Sequence, residues 1–291
     1  MKFLRKHKKL IIVLSVVVAL LITLNVLMFT LFSLKSVEIE FETGNKIITN
    51  EMQNQIISEI DLGGTVFFKN KDEMTSKIEK KYPYVKVINI ETILPNKFII
   101  HIAERQEIYA ITSLNRTCYL DNELKVLRIN EGNFISVSTN AIKLDLFGLD
   151  FDLSAFSEGQ FFDISELTIN SSNKSINLGE QTQEVLNNLL NCFQINNRTL
   201  VDLKALAKSI TFGTYIDYRN GETALQAKIV DFNDFEIFIL CPSENLEDKV
   251  SNMLFAYEKI MLESPEKLTT HKMTVYTNKK GENLVLIEQK S

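Results

Sequence analysis

Residues 10–32 read LIIVLSVVVALLITLNVLMFTLF and contain no charged residue, glycine or proline. A helix of this length reaches about 35 Å at about 1.5 Å per residue, enough to cross a hydrocarbon core of about 30 Å with some tilt. A single spanning segment must be helical, because only a helix satisfies its own backbone hydrogen bonds in lipid. The sequence therefore predicts a transmembrane helix over residues 10–34.

A cleaved signal peptide is the alternative interpretation of this stretch. The apolar region of a signal peptide spans about 7–15 residues and ends in a small-x-small cleavage site. Here the run is longer, it continues into Ser33, Leu34 and Lys35 without such a site, and no cysteine follows closely that a lipid could modify. A retained anchor is favoured.

The charges on either side of the helix predict its orientation. Five basic residues lie within residues 1–9, whereas Lys35 after the helix is followed by acidic residues. Basic residues are retained on the cytoplasmic side. We therefore expect a cytoplasmic head at 1–9 and an extracytoplasmic part from residue 35 onward, anchored by a single span.

Composition excludes several classes of function. The net charge of −5 combines five positive charges in the head with −10 on the exterior part, which disfavours nucleic acid and anionic lipid surfaces as ligands. No phosphate-binding loop, serine-hydrolase elbow, zinc-protease motif or Cys-x-x-Cys pair occurs. Cys118, Cys192 and Cys241 are interpreted as buried thiols, and the acid pair Asp150/Asp152 as surface carboxylates. No catalytic residue, cofactor, metal or small-molecule substrate is predicted.

Residues 35–105 show the periodicity of a small α+β domain. Alternating apolar and acidic residues at 37–41 predict a strand. Thr49 or Asn50 and then Asn70 are helix-capping signals, each followed by apolar residues at helical spacing, and Leu62-Gly-Gly is expected to end the first helix. Two strands at 84–91 and 97–103 close the block, with Ile88 and Ile90 expected on one face of the first. The predicted order is β-α-α-β-β, with both helices on one face of the sheet.

This block resembles the POTRA domain of FtsQ/DivIB cell-division proteins, which place it directly after a single N-terminal membrane helix. The residues that carry the resemblance are Pro83-x-Val85-x-x-Ile88-x-Ile90, Leu94-Pro95 and Ile100-x-Ile102-x-Glu104-Arg105. The resemblance assigns residues 35–105 to a POTRA domain.

Residues 106–291 resemble the β-domain of the same family more loosely, and a mixed, β-rich domain with helices is expected there. Leu120-Asp121 matches the family's hairpin, but Glu123 stands where glycine is usual. Asn220-Gly221 predicts a two-residue hairpin turn. The predicted strands are 108–112, 117–126 (folded about 121–122), 209–218, 224–230, 235–240, 273–277 and 284–288, and the predicted helices are 180–195, 200–208 and 244–262.

The resemblance implies a non-enzymatic bitopic scaffold of the divisome, located in the cell membrane at the division septum. Its expected partners are small bitopic proteins of the FtsB/DivIC and FtsL kinds, and possible further partners are the septal wall synthases. Two alternatives stay open: a POTRA-type chaperone or assembly factor in secretion or envelope biogenesis, and a cell-wall enzyme whose site is not recognised.

Two sets of residues are candidates for partner contacts. Asn25 is a polar amide inside the apolar run; it either contacts another membrane helix or bonds a carbonyl of its own helix. The family binds its partners near the C-terminal end of the β-domain, and an outermost strand there would accept an added strand. The candidate partner-binding residues at that end are Tyr276, Thr277, Leu284, Val285, Leu286 and Ile287.

Overall fold

The computed structural model describes residues 8–42, 47–113, 115–131, 141–149, 153–165, 168–171 and 174–290. The chain divides into two compact units, Met1–Arg105 and Gln106–Ser291. Most of the basic head and the acid pair Asp150/Asp152 lie outside the described residues.

Helix α1 (Lys8–Leu31) contains the apolar run of the sequence. Among the described residues it is the one helix long and apolar enough to cross a membrane, over Ile12–Leu31, and its side chains there are not buried by the protein. An apolar helix with no protein core around it is consistent with a single-pass anchor.

The rest of the first unit is a three-stranded sheet with two helices, in the predicted order β-α-α-β-β. Parallel pairing joins β1 to β3, antiparallel pairing joins β3 to β2, and β3 is central. The elements are β1 (Ser36–Phe41), α2 (Asn50–Glu59), α3 (Lys71–Lys81), β2 (Val85–Ile93) and β3 (Lys97–Glu104).

Local sequence signals account for both helices of this unit. The Thr49 hydroxyl accepts a hydrogen bond from Met52 N at the start of α2, and the Asn70 side chain accepts one from Glu73 N at the start of α3. These bonds satisfy backbone donors that have no partner inside the helix. The inward residues of β3 (Phe98, Ile100 and Ile102) are fully buried, as their alternation predicts.

Two local predictions for this unit were wrong. Helix α2 ends at Glu59, before the two glycines, which have positive φ values of 102° and 65° in the following loop. Ile88 and Ile90 do not share a buried face, because the register of β2 shifts between Val87 and Asn89 and leaves Ile88 exposed. Such a bulge inserts one extra residue into a strand, and the side-chain pattern of the sequence does not predict it.

The chain leaving α1 is part of the core of the first unit. Leu34 is buried in the same cluster as Phe98 and Ile100. Its N–H donates to Gly64 O at 2.9 Å, and its carbonyl accepts a bond from Gly63 N at 3.0 Å. The folded unit therefore begins at the end of the helix.

A fragment that starts at Phe32 is expected to be more stable than one that starts at Ser36, both ending at Arg105. The shorter fragment loses the buried side chain of Leu34, worth about 1.5–3 kcal/mol, and its backbone bonds. Urea denaturation of the two fragments measures the difference. Equal midpoints and slopes would show that residues 32–35 do not contribute to the fold.

The second unit is built on one large mixed sheet. Within the described residues its strand order is β14-β13-β12-β11-β10-β7-β4-β5-β6, and a separate hairpin pairs β8 with β9. Its strands are β4 (Tyr109–Ser113), β5 (Arg116–Leu120), β6 (Val126–Glu131), β7 (Ile142–Leu146), β8 (Thr168–Ser171), β9 (Lys174–Asn177), β10 (Ala207–Ile216), β11 (Thr223–Asp231), β12 (Glu236–Leu240), β13 (His271–Thr277) and β14 (Asn283–Gln289).

Helices cover one face of the sheet along β10–β13 and leave alternate residues on the other face of these strands partly exposed. Buried residues of the two long helices share one core cluster with the inward residues of β10–β13. Antiparallel sheets commonly have one such solvated face. The helices are α4 (Gly179–Ile195), α5 (Leu200–Leu206), α6 (Leu246–Glu263) and α7 (Lys267–Thr270), and Leu153–Ala155 forms a 3-10 turn.

The turns of this unit differ from the sequence prediction. The loop between β10 and β11 spans residues 217–222 and not two residues, because Ile216↔Thr223 is the last pair of the ladder. In the β5–β6 hairpin the residue with positive φ is Leu124, at 60°, so Glu123 is not the position that requires glycine.

Candidate functional site

Strand β14 forms one edge of the large sheet. It pairs with β13 alone among the described strands, in an antiparallel register that places Tyr276 opposite Leu284 and Val275 opposite Val285. The condition behind the predicted binding site, that residues 284–288 form the outermost strand, is met. An edge strand presents backbone groups that another strand can pair with.

The backbone bonds at both ends of the hairpin fix which groups point to the free edge. Asn278 N donates to Glu282 O at 2.9 Å, and Lys290 N donates to Thr270 O at 2.9 Å. Residue pairs in an antiparallel ladder alternate between bonded and non-bonded. Counted from either end, Val275↔Val285 is a non-bonded pair. The N–H and C=O of Val285 therefore point away from β13.

The side chains of β14 leave an apolar surface at this edge. Val285 packs against the core. Leu284, Leu286 and Ile287 are 39%, 46% and 37% exposed, although leucine and isoleucine are usually buried. Since the chain alternates, Leu284 and Leu286 lie on the outward face of the sheet.

Two tyrosines extend this surface. Tyr276 lies beside Leu284 on the outward face, and the ring of Tyr218 meets the ring of Tyr276 edge-on at 6.2 Å between centroids. The Tyr218 hydroxyl donates to Thr277 O at 2.7 Å. The Thr277 side chain is buried and donates to Asn283 Oδ1 at 2.7 Å, so it supports the hairpin and does not contribute to the exposed surface. We call Tyr218, Tyr276, Leu284 and Leu286 the edge surface.

Sequence reasoning missed Tyr218. It was predicted as the last residue of the strand 209–218 but lies in the loop after β10, and its partner on β13 is 58 positions away in the chain. A solitary tyrosine beside a turn carries no local signal for such a contact.

A buried polar cluster lies behind the β12–α6 loop. Lys249 Nζ donates to Leu240 O at 2.9 Å and to Cys241 O at 2.7 Å, and Arg219 pairs with the buried carboxylate of Asp217 at 2.7 Å. Burial raises the pKa of the Cys241 thiol and lowers the pKa of the Lys249 ammonium. A raised thiol pKa reduces the thiolate fraction, so Cys241 is not activated as a nucleophile.

Metal-binding chemistry has no support in the described part of the chain. No group of three or more His, Cys, Asp or Glu side chains there is close enough to hold an ion. Cys118, Cys192 and Cys241 are free thiols in buried positions. His101 lies near Glu40 and Glu91 on the sheet of the first unit, at 3.6 and 3.5 Å.

The second candidate, Asn25, lies in α1. Its Nδ2 donates to Leu21 O at 2.8 Å, one turn earlier in the same helix. This bond is the second of the two arrangements considered for Asn25, and it gives the amide a partner inside its own helix.

The first unit matches a known protein family. Residues 32–105 match the family model "POTRA domain, FtsQ-type", from the exit of α1 to the end of the first compact unit. No curated protein matches the chain. The match covers the β-α-α-β-β fold described above and confirms the resemblance of this block to the FtsQ-type POTRA domain. The chain thus carries an FtsQ-type POTRA domain over residues 32–105, a finding that is consistent with a protein of the FtsQ/DivIB family.

Proposed function

We propose that this protein is a non-enzymatic membrane scaffold of the cell-division machinery. The observation that carries the proposal is the FtsQ-type POTRA domain directly after an apolar helix of spanning length. The basic residues before that helix support a cytoplasmic N-terminus and an extracytoplasmic bulk. In this proposal residues 106–291 form the β-domain that binds other divisome proteins.

The edge of β14 supports strand addition as the mode of partner binding. Backbone pairing supplies affinity, while pockets for alternate side chains supply specificity. A bitopic partner of the FtsB/DivIC kind would pair with β14 and place apolar side chains on the edge surface. An FtsL-like protein and the septal wall synthases are the further partners in this proposal.

Two alternatives are less well supported. Assembly factors of outer-membrane barrels and secretion systems commonly carry several POTRA units or a barrel. Here the family match that was found is of the FtsQ type. A cell-wall enzyme requires a nucleophile or a pair of tuned carboxylates. The groups of the polar cluster are instead bonded, Lys249 to backbone carbonyls and Asp217 to Arg219.

Localisation tests the division role. A fluorescent fusion of the full chain is expected to form a band at midcell in dividing cells. A matched control replaces α1 with an unrelated single-span helix and keeps residues 32–291, which separates targeting by the exterior part from simple anchoring. A uniform envelope signal from the full-length fusion would refute the division role.

Asn25 is proposed to contact a second membrane helix through its amide oxygen, which remains an acceptor while Nδ2 bonds Leu21. We expect Asn25→Leu to weaken co-purification of membrane partners, with a loss of about 1 kcal/mol of association. Thr23→Val is the control, because the Thr23 hydroxyl also bonds its own helix, at Ala19 O. If Asn25→Leu and Thr23→Val both leave co-purification unchanged, Asn25 serves its own helix alone.

A further inference from the structure

Exposed apolar side chains of the first unit cluster on two of its loops. Outside α1, six large apolar side chains are exposed among the described residues of this unit: Ile47, Leu62, Phe67, Phe68, Ile88 and Leu94. Four of the six lie in the α2–α3 loop and the β2–β3 turn. We call these four, Leu62, Phe67, Phe68 and Leu94, the exit patch.

The α2–α3 loop is hydrogen-bonded to the chain that leaves α1. Val66 N donates to Phe32 O at 2.8 Å, and Leu34 N donates to Gly64 O at 2.9 Å. The ring of Phe67 packs on the ring of Phe32, with 5.2 Å between centroids. Phe67 and Phe68 are therefore held next to the end of the helix by the fold itself.

The β2–β3 turn is held at the same place. Lys35 N donates to Asn96 O at 2.8 Å, and this bond holds the turn against the chain that leaves α1. Leu94 and Phe67 line one open concavity of the surface. Phe67 and Leu94 thus share one surface, although they come from separate loops.

The length of α1 places this surface at the membrane boundary. The apolar part of α1, Ile12–Leu31, has 20 residues and spans about 30 Å, the thickness of the hydrocarbon core. Val66 is hydrogen-bonded to Phe32, at the end of the helix. Phe68 lies two residues after Val66, so at most about 7 Å of extended chain separates Phe68 from Val66. The headgroup region is about 5–8 Å thick on each side. Phe67 and Phe68 therefore fall within it.

We propose that the exit patch is a membrane-contact site, which inserts Phe67, Phe68 and Leu94 into the interfacial layer of the leaflet from which α1 emerges. The proposal rests on the anchoring role proposed for α1. Aromatic and apolar side chains are favoured at that depth, and removing them from water gives about 25 cal/mol for each Å² buried. The contact restricts the tilt of the POTRA domain relative to the bilayer.

The chemistry of the site is apolar and not electrostatic. Lysines flank the patch, but Lys69 pairs with Asp61 at 3.1 Å, Lys97 pairs with Glu38, and Lys71 donates to Ile90 O at 2.7 Å. Their charges are used within the unit. Contact is therefore expected with zwitterionic and anionic lipids alike, in agreement with the acidic character of the exterior part.

The absence of tryptophan from the sequence makes the proposal directly testable. Phe68, 80% exposed, can be replaced by tryptophan without disturbing a core, and Phe68→Trp gives the full chain a single indole. The variant is reconstituted into phosphatidylcholine vesicles with plain or brominated acyl chains. We expect bromine to reduce its emission about twofold, because the indole lies at the interfacial depth where tryptophan is enriched.

Phe255→Trp is the matched control, because Phe255 is 73% exposed on α6 in the second unit. Its emission is expected to be the same in both kinds of vesicle. Equal emission of Phe68→Trp in the two lipids, or equal quenching of both variants, overturns the exit patch as a membrane site. Release of the protein from vesicles by alkaline carbonate refutes the anchor itself, and with it the patch. Retention without quenching refutes the patch alone.

Discussion

Asp231→Ala is expected to lower the free energy of unfolding of the second unit by about 3 kcal/mol, the largest stability effect that we predict for a single substitution. Asp231 is buried at the end of β11. Its Oδ1 accepts bonds from Asn233 N and Phe235 N, both at 2.7 Å, and its Oδ2 accepts one from the Tyr257 hydroxyl at 2.6 Å. Alanine leaves these donors without their acceptor, and a buried donor without a partner costs about 1–3 kcal/mol.

Asp234→Ala is the matched control for this prediction. Asp234 lies three residues further along the same turn, but it is exposed and pairs at the surface with Lys208. Exposed ion pairs contribute at most about 1 kcal/mol. Chemical denaturation of both variants gives the comparison. Similar losses in the two variants would show that the buried bonds of Asp231 do not stabilise the turn.

Tyr257 joins α6 to this turn, and its titration gives a pH test. Burial, and then the bond to Asp231, raise the pKa of the Tyr257 hydroxyl. A raised folded-state pKa contributes stability that is fully present below about pH 10, the value in the unfolded chain, and is lost as the pH rises through the folded-state pKa. Tyr257→Phe should therefore be less stable than the wild type at neutral pH, and the gap should narrow at alkaline pH. A constant gap would contradict this account.

The parts of the fold that were predictable depend on local signals. Thr49 and Asn70 predict the starts of α2 and α3, because a capping side chain bonds a backbone N–H only a few residues further along the chain. The alternation of Phe98, Ile100 and Ile102 predicts β3, because every second side chain of a strand lies on the same face. These signals do not require knowledge of which segments meet in space.

The parts that were missed depend on contacts between distant residues. Asp231 resembles an ordinary turn carboxylate, yet it is buried, because backbone N–H groups of its own turn and the distant Tyr257 hydroxyl satisfy it. The exit patch has no periodicity, since its residues come from a loop and a turn that only the chain after α1 brings together. For the candidate site, alternation predicted an apolar edge strand, but Tyr218 and the buried position of Thr277 could not be predicted.

Val285→Pro is expected to weaken binding of the proposed DivIC-like partner while the second unit stays folded. Val285 is in a non-bonded pair with Val275, so proline removes an N–H that points to the free edge and leaves the β13 ladder intact. The proline ring also obstructs the approach of an added strand. We expect the dissociation constant to rise at least tenfold, about 1.4 kcal/mol, with little change in melting temperature.

Leu286→Pro, one position further, is the control, because it tests whether the effect of proline depends on the direction in which the N–H points. Leu286 is opposite Thr274 in a bonded pair, so proline there removes a bond of the sheet itself and should lower stability by about 1–3 kcal/mol. Thermal melts and titration of the partner's exterior domain onto the full-length protein separate the two effects. Binding that persists in a folded Val285→Pro protein would rule out strand addition at β14. If Val285→Pro unfolds the unit as much as Leu286→Pro does, its N–H belongs to the sheet and the assigned ladder is wrong.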